Sequence, residues 1–233
     1  MPGMYEIYRR HRDEYDLLVA AEDHSRNLSA RVSRLLDWNG LRIVEAGAGT
    51  GRFTELFAAA ALSIACFDRE THMLEAARAR LAPFGPKFSF SAADNLDLPA
   101  LEPRADAFVE GWSWGHAVVD GPDSVAAISD RLFDNALRTV RPGGWILVAE
   151  TLGTNVDRPA PPHPRLAEWY DRLQSVHGLA LHAVPTDYRF PDPASAAQTL
   201  GFFFGEDMRD SVAARGSPVV PEWTGLWFGK LPE

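Results

Sequence analysis

Ile43-Val44-Glu45-Ala46-Gly47-Ala48-Gly49-Thr50-Gly51-Arg52 constrains this chain more than any other segment. A short β-branched run ends in an acid, glycine then recurs at every second position, and an apolar-faced helical pattern follows. Glycine permits φ > 0 and lets a ligand lie against the backbone without a Cβ in the way. Strand, glycine-rich turn and helix in that order open the folds that bind nucleotide cofactors. A dinucleotide fingerprint G-x-G-x-x-G starting at Gly47 would need its third glycine at position 52, which is Arg52. Here the third glycine is Gly51, and Glu45 stands two residues before the first.

Glu45 discriminates between ligands. A pyrophosphate at a helix N-terminus seeks N–H groups and positive potential, and an adjacent carboxylate repels it. A ligand carrying an ammonium and a sulfonium is attracted instead. Glu-x-Gly-x-Gly-x-Gly resembles the first motif of the class I S-adenosylmethionine-dependent methyltransferases. Asn135 to Val148, with its Arg141-Pro142-Gly143-Gly144-Trp145 centre, resembles the helix, Pro-Gly-Gly and strand signature of the same family.

The rest of the chain suits that fold. Apolar strand patterns at 42–46, 62–67, 88–92, 105–110 and 145–150 alternate with helical ones, which predicts parallel strands joined by crossover helices. A further strand is expected within 179–190 and an aromatic one at 223–230, with helices over 165–177 and 193–204. The expectation is a doubly wound α/β fold: a seven-stranded, mostly parallel, Rossmann-like sheet with helices on both faces. Residues 1–233 form one domain in this reading. It has an N-terminal helical cap (1–40), a cofactor-binding half (41–150) and a substrate-side half (151–233). Residues 5–37 read as helical, and Tyr5, Tyr8 and Tyr15 are candidates for a lid over the cofactor or a plain cover for the sheet.

Asp68 closes the second strand, where an acid can accept both ribose hydroxyls. Arg69 beside it would equally suit a 2′-phosphate. Asp68 to Arg78 resembles the family's second motif, which implies that Met73 packs on the adenine ring; a core role is the other reading, since Met fills either place. Ala92 to Pro99 resembles the adenine-contact segment, implying that Asp94 accepts the 6-amino group and that the Asn95 backbone nears a ring nitrogen. An Asx turn is the alternative there. By the same resemblance, Gly111 and Trp112 contact the methionine part of S-adenosylmethionine, while Trp112, Trp114 and His116 border the acceptor. Aromatic walls can hold a sulfonium by cation–π attraction or pack under a helix. His116 is the candidate base, although methyl transfer needs one only when the acceptor holds its proton tightly.

Composition narrows the acceptor. A formal charge of −9 with no arginine stripe argues against nucleic acid. Glu110-Gly111-Trp112-Ser113 replaces the Asp/Asn-Pro-Pro-aromatic motif of DNA aminomethyltransferases, and Cys66 lies in a strand rather than where cytosine-C5 enzymes keep their nucleophile. A small-molecule acceptor is expected, with no metal. One cysteine excludes an intrachain disulfide. No apolar window spans a bilayer, so a cytoplasmic monomer or homodimer is the default. Two rivals remain: an NAD(P)-dependent oxidoreductase, although no Tyr-x-x-x-Lys pair is present, and a non-catalytic S-adenosylmethionine-binding regulator.

Overall fold

The computed structural model describes residues 12–233, with side chains from Leu17 onward. In chain order the elements are α1 (Arg12–Ala21), α2 (Asn27–Leu35), β1 (Arg42–Ala46), α3 (Glu55–Ala58), β2 (Ser63–Asp68), α4 (Thr71–Leu81), a 3₁₀ turn (Ala82–Phe84), β3 (Phe88–Ala92), β4 (Ala105–Gly111) and α5 (Trp114–Asp120). They continue with α6 (Val125–Thr139), β5 (Val140–Thr154), α7 (Pro164–Ser175), β6 (Ala180–Pro185), β7 (Tyr188–Arg189), α8 (Pro193–Phe204), α9 (Glu206–Arg215), β8 (Val219–Val220) and β9 (Glu222–Lys230). The chain divides into two compact units. The larger comprises Arg31–Glu150, Pro161–His182 and Gly225–Glu233; the smaller comprises the described residues up to Ala30, Thr151–Ala160 and Ala183–Thr224.

Seven strands form one sheet in the order β3-β2-β1-β4-β5-β9-β6. The pairings from β3 through β5 are parallel, with Glu45 opposite Cys66 on one side and Val109 on the other. The end of β9 joins the start of β5, through Leu231 N–H to Gly144 O (2.8 Å) and Gly143 N–H to Pro232 O (3.0 Å). β9 therefore runs against its neighbour. The central strands are buried on both faces, which is why β1, β4 and β5 read as nearly continuous apolar runs.

Helix α6 shows how sequence makes an element here. Ser124 caps it by accepting the Ala127 N–H (3.2 Å), and Val125, Ile128, Leu132, Phe133 and Ala136 form its buried stripe. It ends at Thr139, and β5 starts at once. Arg141-Pro142-Gly143-Gly144 is absorbed as an irregularity inside β5, where Ala105 pairs with Val140 but Ala107 pairs with Trp145. Gly143 takes φ +65°, and a Cβ on Gly144 would meet Val140 Cγ1 at 2.3 Å.

The continuous helix expected over 5–37 is corrected over its described part. Asp23 and Arg26 take φ of +52° and +57°, and the Asp23 carboxylate accepts the N–H groups of Asn27 (2.8 Å) and Leu28 (3.1 Å), starting α2 afresh. The tyrosine lid falls outside the described residues. In the smaller unit, Leu18, Tyr188, Phe190, Leu200, Phe203, Val212 and Val220 share one core. Helix α9 has no sequence-based forecast because it buries only Val212, so no periodic stripe announces it.

Replacing Asp23 with Ala removes both capping acceptors. The expected loss is about 1 kcal/mol, read as a lower midpoint in urea unfolding.

Candidate functional site

The site grows from the carboxyl ends of β1, β2 and β4 in the larger unit. Gly47, Gly49 and Gly51 take φ of +68°, +53° and +79°, a backbone that other residues adopt only with strain. Gly47 also has no room for a side chain: a Cβ there would lie 2.1 Å from Ser113 Oγ. Gly51 sits tight on α4, where its Cβ would meet Leu81 and Ala77 at 3.1–3.3 Å. Asp68 ties the loop down, its Oδ2 accepting the Gly49 N–H (2.8 Å) and its Oδ1 the Glu70 N–H (2.8 Å). Each carboxylate oxygen keeps a second lone pair, so the group remains able to accept from a ligand hydroxyl.

Around this cradle the expected residues fall as follows. Met73 is buried, its methyl 3.8 Å from the position of a Gly49 Cβ. Arg69 is exposed and pairs loosely with Glu70 (3.9 Å). Asp94 is exposed, and its Oδ1 accepts the Leu96 N–H (2.8 Å) in an Asx turn, leaving Oδ2 for another donor. Asn95 donates from Nδ2 to Ser113 Oγ (3.2 Å), while its own carbonyl accepts from Asn135 (2.8 Å). Gly111 lets Phe53 approach, since a Cβ would lie 2.9 Å from that ring.

Trp112 holds φ +52°, an unusual conformation for a bulky residue and one that costs on the order of 1 kcal/mol or more. Its N–H donates to Ala149 O (2.8 Å), Phe53 meets its ring edge-on and the Arg52 guanidinium lies 4.8 Å above the ring. Trp114 is fully buried against Phe108, Phe133 and Trp169. It belongs to the core rather than to an acceptor wall. His116, half-buried on the first turn of α5, has its pKa lowered by desolvation, with Asp120 acting in the opposite sense. It is a neutral imidazole at neutral pH.

Sequence reading missed three side chains. Ser113 donates from Oγ to Glu110 Oε1 (3.0 Å) and to Ala46 O (3.3 Å). Glu110 Oε1 also accepts the N–H groups of Ser113 (2.6 Å) and Trp114 (2.9 Å), and Glu150 Oε1 accepts that of Gly115 (2.6 Å). The signal was present in two acids placed at the ends of apolar strands, where burial makes an acid expensive without a task.

Glu45 is only 1% exposed, and its Oε2 has no hydrogen-bond partner. Burial pushes its pKa up to about 8; nearby Thr54 works the other way, and Glu110 and Asp68 add to the rise. Asp68 is raised too, chiefly by burial against its two N–H bonds. By strand register Glu45, Cys66 and Asp68 share one face of the sheet. The Cys66 thiol is buried and its pKa is driven up by desolvation, so it is no nucleophile. Among the described residues no group of His, Cys, Asp and Glu is placed to hold a metal, and no helix is long and apolar enough to cross a membrane.

A family profile described as "Methyltransferase domain" matches residues 43–144, which contain the whole cradle. No curated protein sequence matches the chain. Among solved structures, the YcgJ protein of Bacillus subtilis has a TM-score of 0.60 at 15% identity, covering 90% of this chain and 100% of its own. The N-methyltransferase NodS of Bradyrhizobium japonicum has 0.53 at 15% identity, covering 90% and 97%. The DhpI complex with S-adenosylhomocysteine has 0.57 at 17% identity, covering 97% and 94%. Residues 43–144 thus match a methyltransferase domain, and the chain shares its fold with these solved structures. The last of these holds the demethylated product of S-adenosylmethionine.

Glu45 binds its proton more tightly folded than unfolded. It therefore opposes folding progressively as pH rises from its unfolded value of 4.5 to its folded value of about 8. Glu45→Gln should match wild type in melting temperature near the acid end of that window. It should exceed wild type by several degrees at the alkaline end, as read by scanning calorimetry.

Proposed function

We infer that this chain is an S-adenosylmethionine-dependent methyltransferase of a small-molecule acceptor, with Glu45, Gly47, Gly49, Gly51, Asp68, Met73, Asp94 and Asn95 holding the donor and Trp112 and His116 facing the acceptor. The observation that carries this reading is the pairing of a three-glycine cradle with buried acids. Glu45 and Asp68 stand on one sheet face beneath three positive-φ glycines, and Glu45 has an orphaned oxygen. That combination is hostile to a diphosphate and suited to a cation.

When bound, S-adenosylmethionine supplies a methyl group on a sulfonium at this site. Asp68, locked by two N–H bonds, offers its remaining lone pairs to ribose hydroxyls. Asp94 Oδ2 offers an acceptor to an exocyclic amine, and Met73 a polarizable surface to a flat ring. Arg69, exposed beside Asp68 and loosely paired with Glu70, stands at the rim of the donor site. Gly111 and Trp112 shape the end nearest the acceptor. His116, held neutral, can take a proton from an acceptor that must shed one. Orientation supplies much of the rate in such a displacement, and the strained Trp112 backbone is consistent with a wall held in a set position.

One feature favours a small acceptor: the net charge of −9 does not suit a phosphate backbone.

Calorimetric titration tests the donor assignment. S-adenosylmethionine and S-adenosylhomocysteine should bind and NADPH should not; the reverse order would refute the reading. Asp68→Ala should weaken S-adenosylhomocysteine by about tenfold or more, the worth of a charge-assisted hydrogen bond. Unchanged affinity would remove Asp68 from the site.

A further inference from the structure

Helix α6 carries a polar stripe beside its apolar one. Arg131, Asn135 and Arg138 follow at i, i+4 and i+7, which places them on one face of the helix. Asn135 is fully buried there, although asparagine is a poor helix former and a buried amide is costly unless its hydrogen bonds are met. Its Nδ2 donates to the Asn95 carbonyl (2.8 Å), and its Oδ1 accepts from Arg138. A carbonyl only accepts and a guanidinium only donates, so the two neighbours fix which way the amide faces.

This stripe faces the turn after β3. The Asp97 N–H donates to Asp94 O (2.9 Å) and the Leu96 N–H to Asp94 Oδ1 (2.8 Å), so the turn closes on Asp94 twice. Those bonds leave the carbonyls of its two central residues, Asn95 and Leu96, to find donors elsewhere. Asn135 supplies the first, and Arg131 Nε the second (2.8 Å). From another side, Asn95 Nδ2 donates to Ser113 Oγ (3.2 Å), beside the Gly47 contact. A half-exposed turn can satisfy its carbonyls with water. Here two side chains of one rigid helix do so instead, and the turn loses its freedom.

We propose that Asn135 and Arg131 are positioning residues that set which base the donor site takes: by holding the carbonyls of Asn95 and Leu96 they fix Asp94 Oδ2 where it accepts from a 6-amino purine and rejects a 6-oxo purine. The proposal rests on the donor site inferred above and adds base selectivity to it, carried by two side chains that act only through the turn. An exocyclic amine presents an N–H to the carboxylate. A carbonyl in its place presents a lone pair, which leaves two acceptors facing each other and one hydrogen bond unmade. Selectivity of this kind depends on where the acceptor is held, because a turn free to swing would move its carboxylate away from the unwanted base.

The test is calorimetric titration of the full chain with S-adenosylhomocysteine and with its deaminated analogue, S-inosylhomocysteine, alongside amide hydrogen exchange at Leu96 and Asp97. Wild type should prefer the adenine compound by about tenfold or more, the worth of a hydrogen bond to a charged group. Asn135→Asp keeps the shape and the acceptor for Arg138, but turns an acceptor toward Asn95 O in place of the donor. It should lose most of the preference by weakening S-adenosylhomocysteine alone, and both amides should lose protection. Arg131→Met keeps the stem of an exposed side chain and should lose part of the preference; it decides alone if Asn135→Asp does not fold. A merely structural role would weaken the two compounds alike. Affinities that fall in parallel therefore overturn the proposal, as does a wild-type ratio kept by both variants or full protection in Asn135→Asp. Wild type that binds neither compound refutes the donor assignment and the selectivity with it. Wild type that binds both equally leaves the donor assignment standing and overturns the selectivity.

Discussion

Gly47 and Ser113 compete for one volume. The serine hydroxyl stands where any side chain at position 47 would have to begin, so the loop after β1 and the turn after β4 close on each other only if the first is glycine. The candidate site in the larger unit is arranged about that contact. On one side the loop runs through two more positive-φ glycines to Asp68, which ties it to β2. On the other, Ser113 passes the constraint to Glu110, and Glu110 to the start of α5. A single close approach thus joins the glycine loop to the turn that carries Trp112 and Ser113.

The second theme is acid without base. Glu45, Glu110 and Glu150 are buried in the interior of the sheet, all with raised pKa values. A carboxylate removed from water is costly unless something compensates it. In Glu110 and Glu150 part of the compensation is internal, from the N–H groups at the start of α5 that their Oε1 atoms accept. Glu45 lacks it, and its unpartnered oxygen is the clearest structural argument for a cationic ligand. The same chemistry makes the folded protein sensitive to alkali, because raised acids hold protons that the unfolded chain releases.

Much of this was legible in the amino-acid order. Strands β1 and β4 lie where apolar runs placed them, since strands buried on both faces carry a dense signal, and the edge strand β3 also falls at its expected 88–92. All three loop glycines take the positive φ that the turn was expected to need, and Asp68 closes β2 as expected, though its bond to the Gly49 N–H was not foreseen. What escaped has physical reasons. Helix α5 is seven residues long, too short to establish a periodicity, so Trp112 to His116 read as a loop with two tryptophans facing a substrate. Folding that segment into a helix turns Trp114 into the core and leaves Trp112 alone at the edge. The break between α1 and α2 depends on Asp23 and Arg26 taking left-handed backbone, which neither residue type announces. The Glu110–Glu150 pair joins residues forty positions apart, a proximity created by strand register alone.

A crystal structure with S-adenosylhomocysteine confronts the account most directly. The account places the ribose hydroxyls on the Asp68 carboxylate, the adenine between Met73 and the Asp94–Asn95 segment, and the sulfur toward Trp112 and His116. Ordered product lying anywhere else, or a glycine loop that leaves it untouched, would contradict the view that this acid-backed turn was shaped around an adenosine-linked cation.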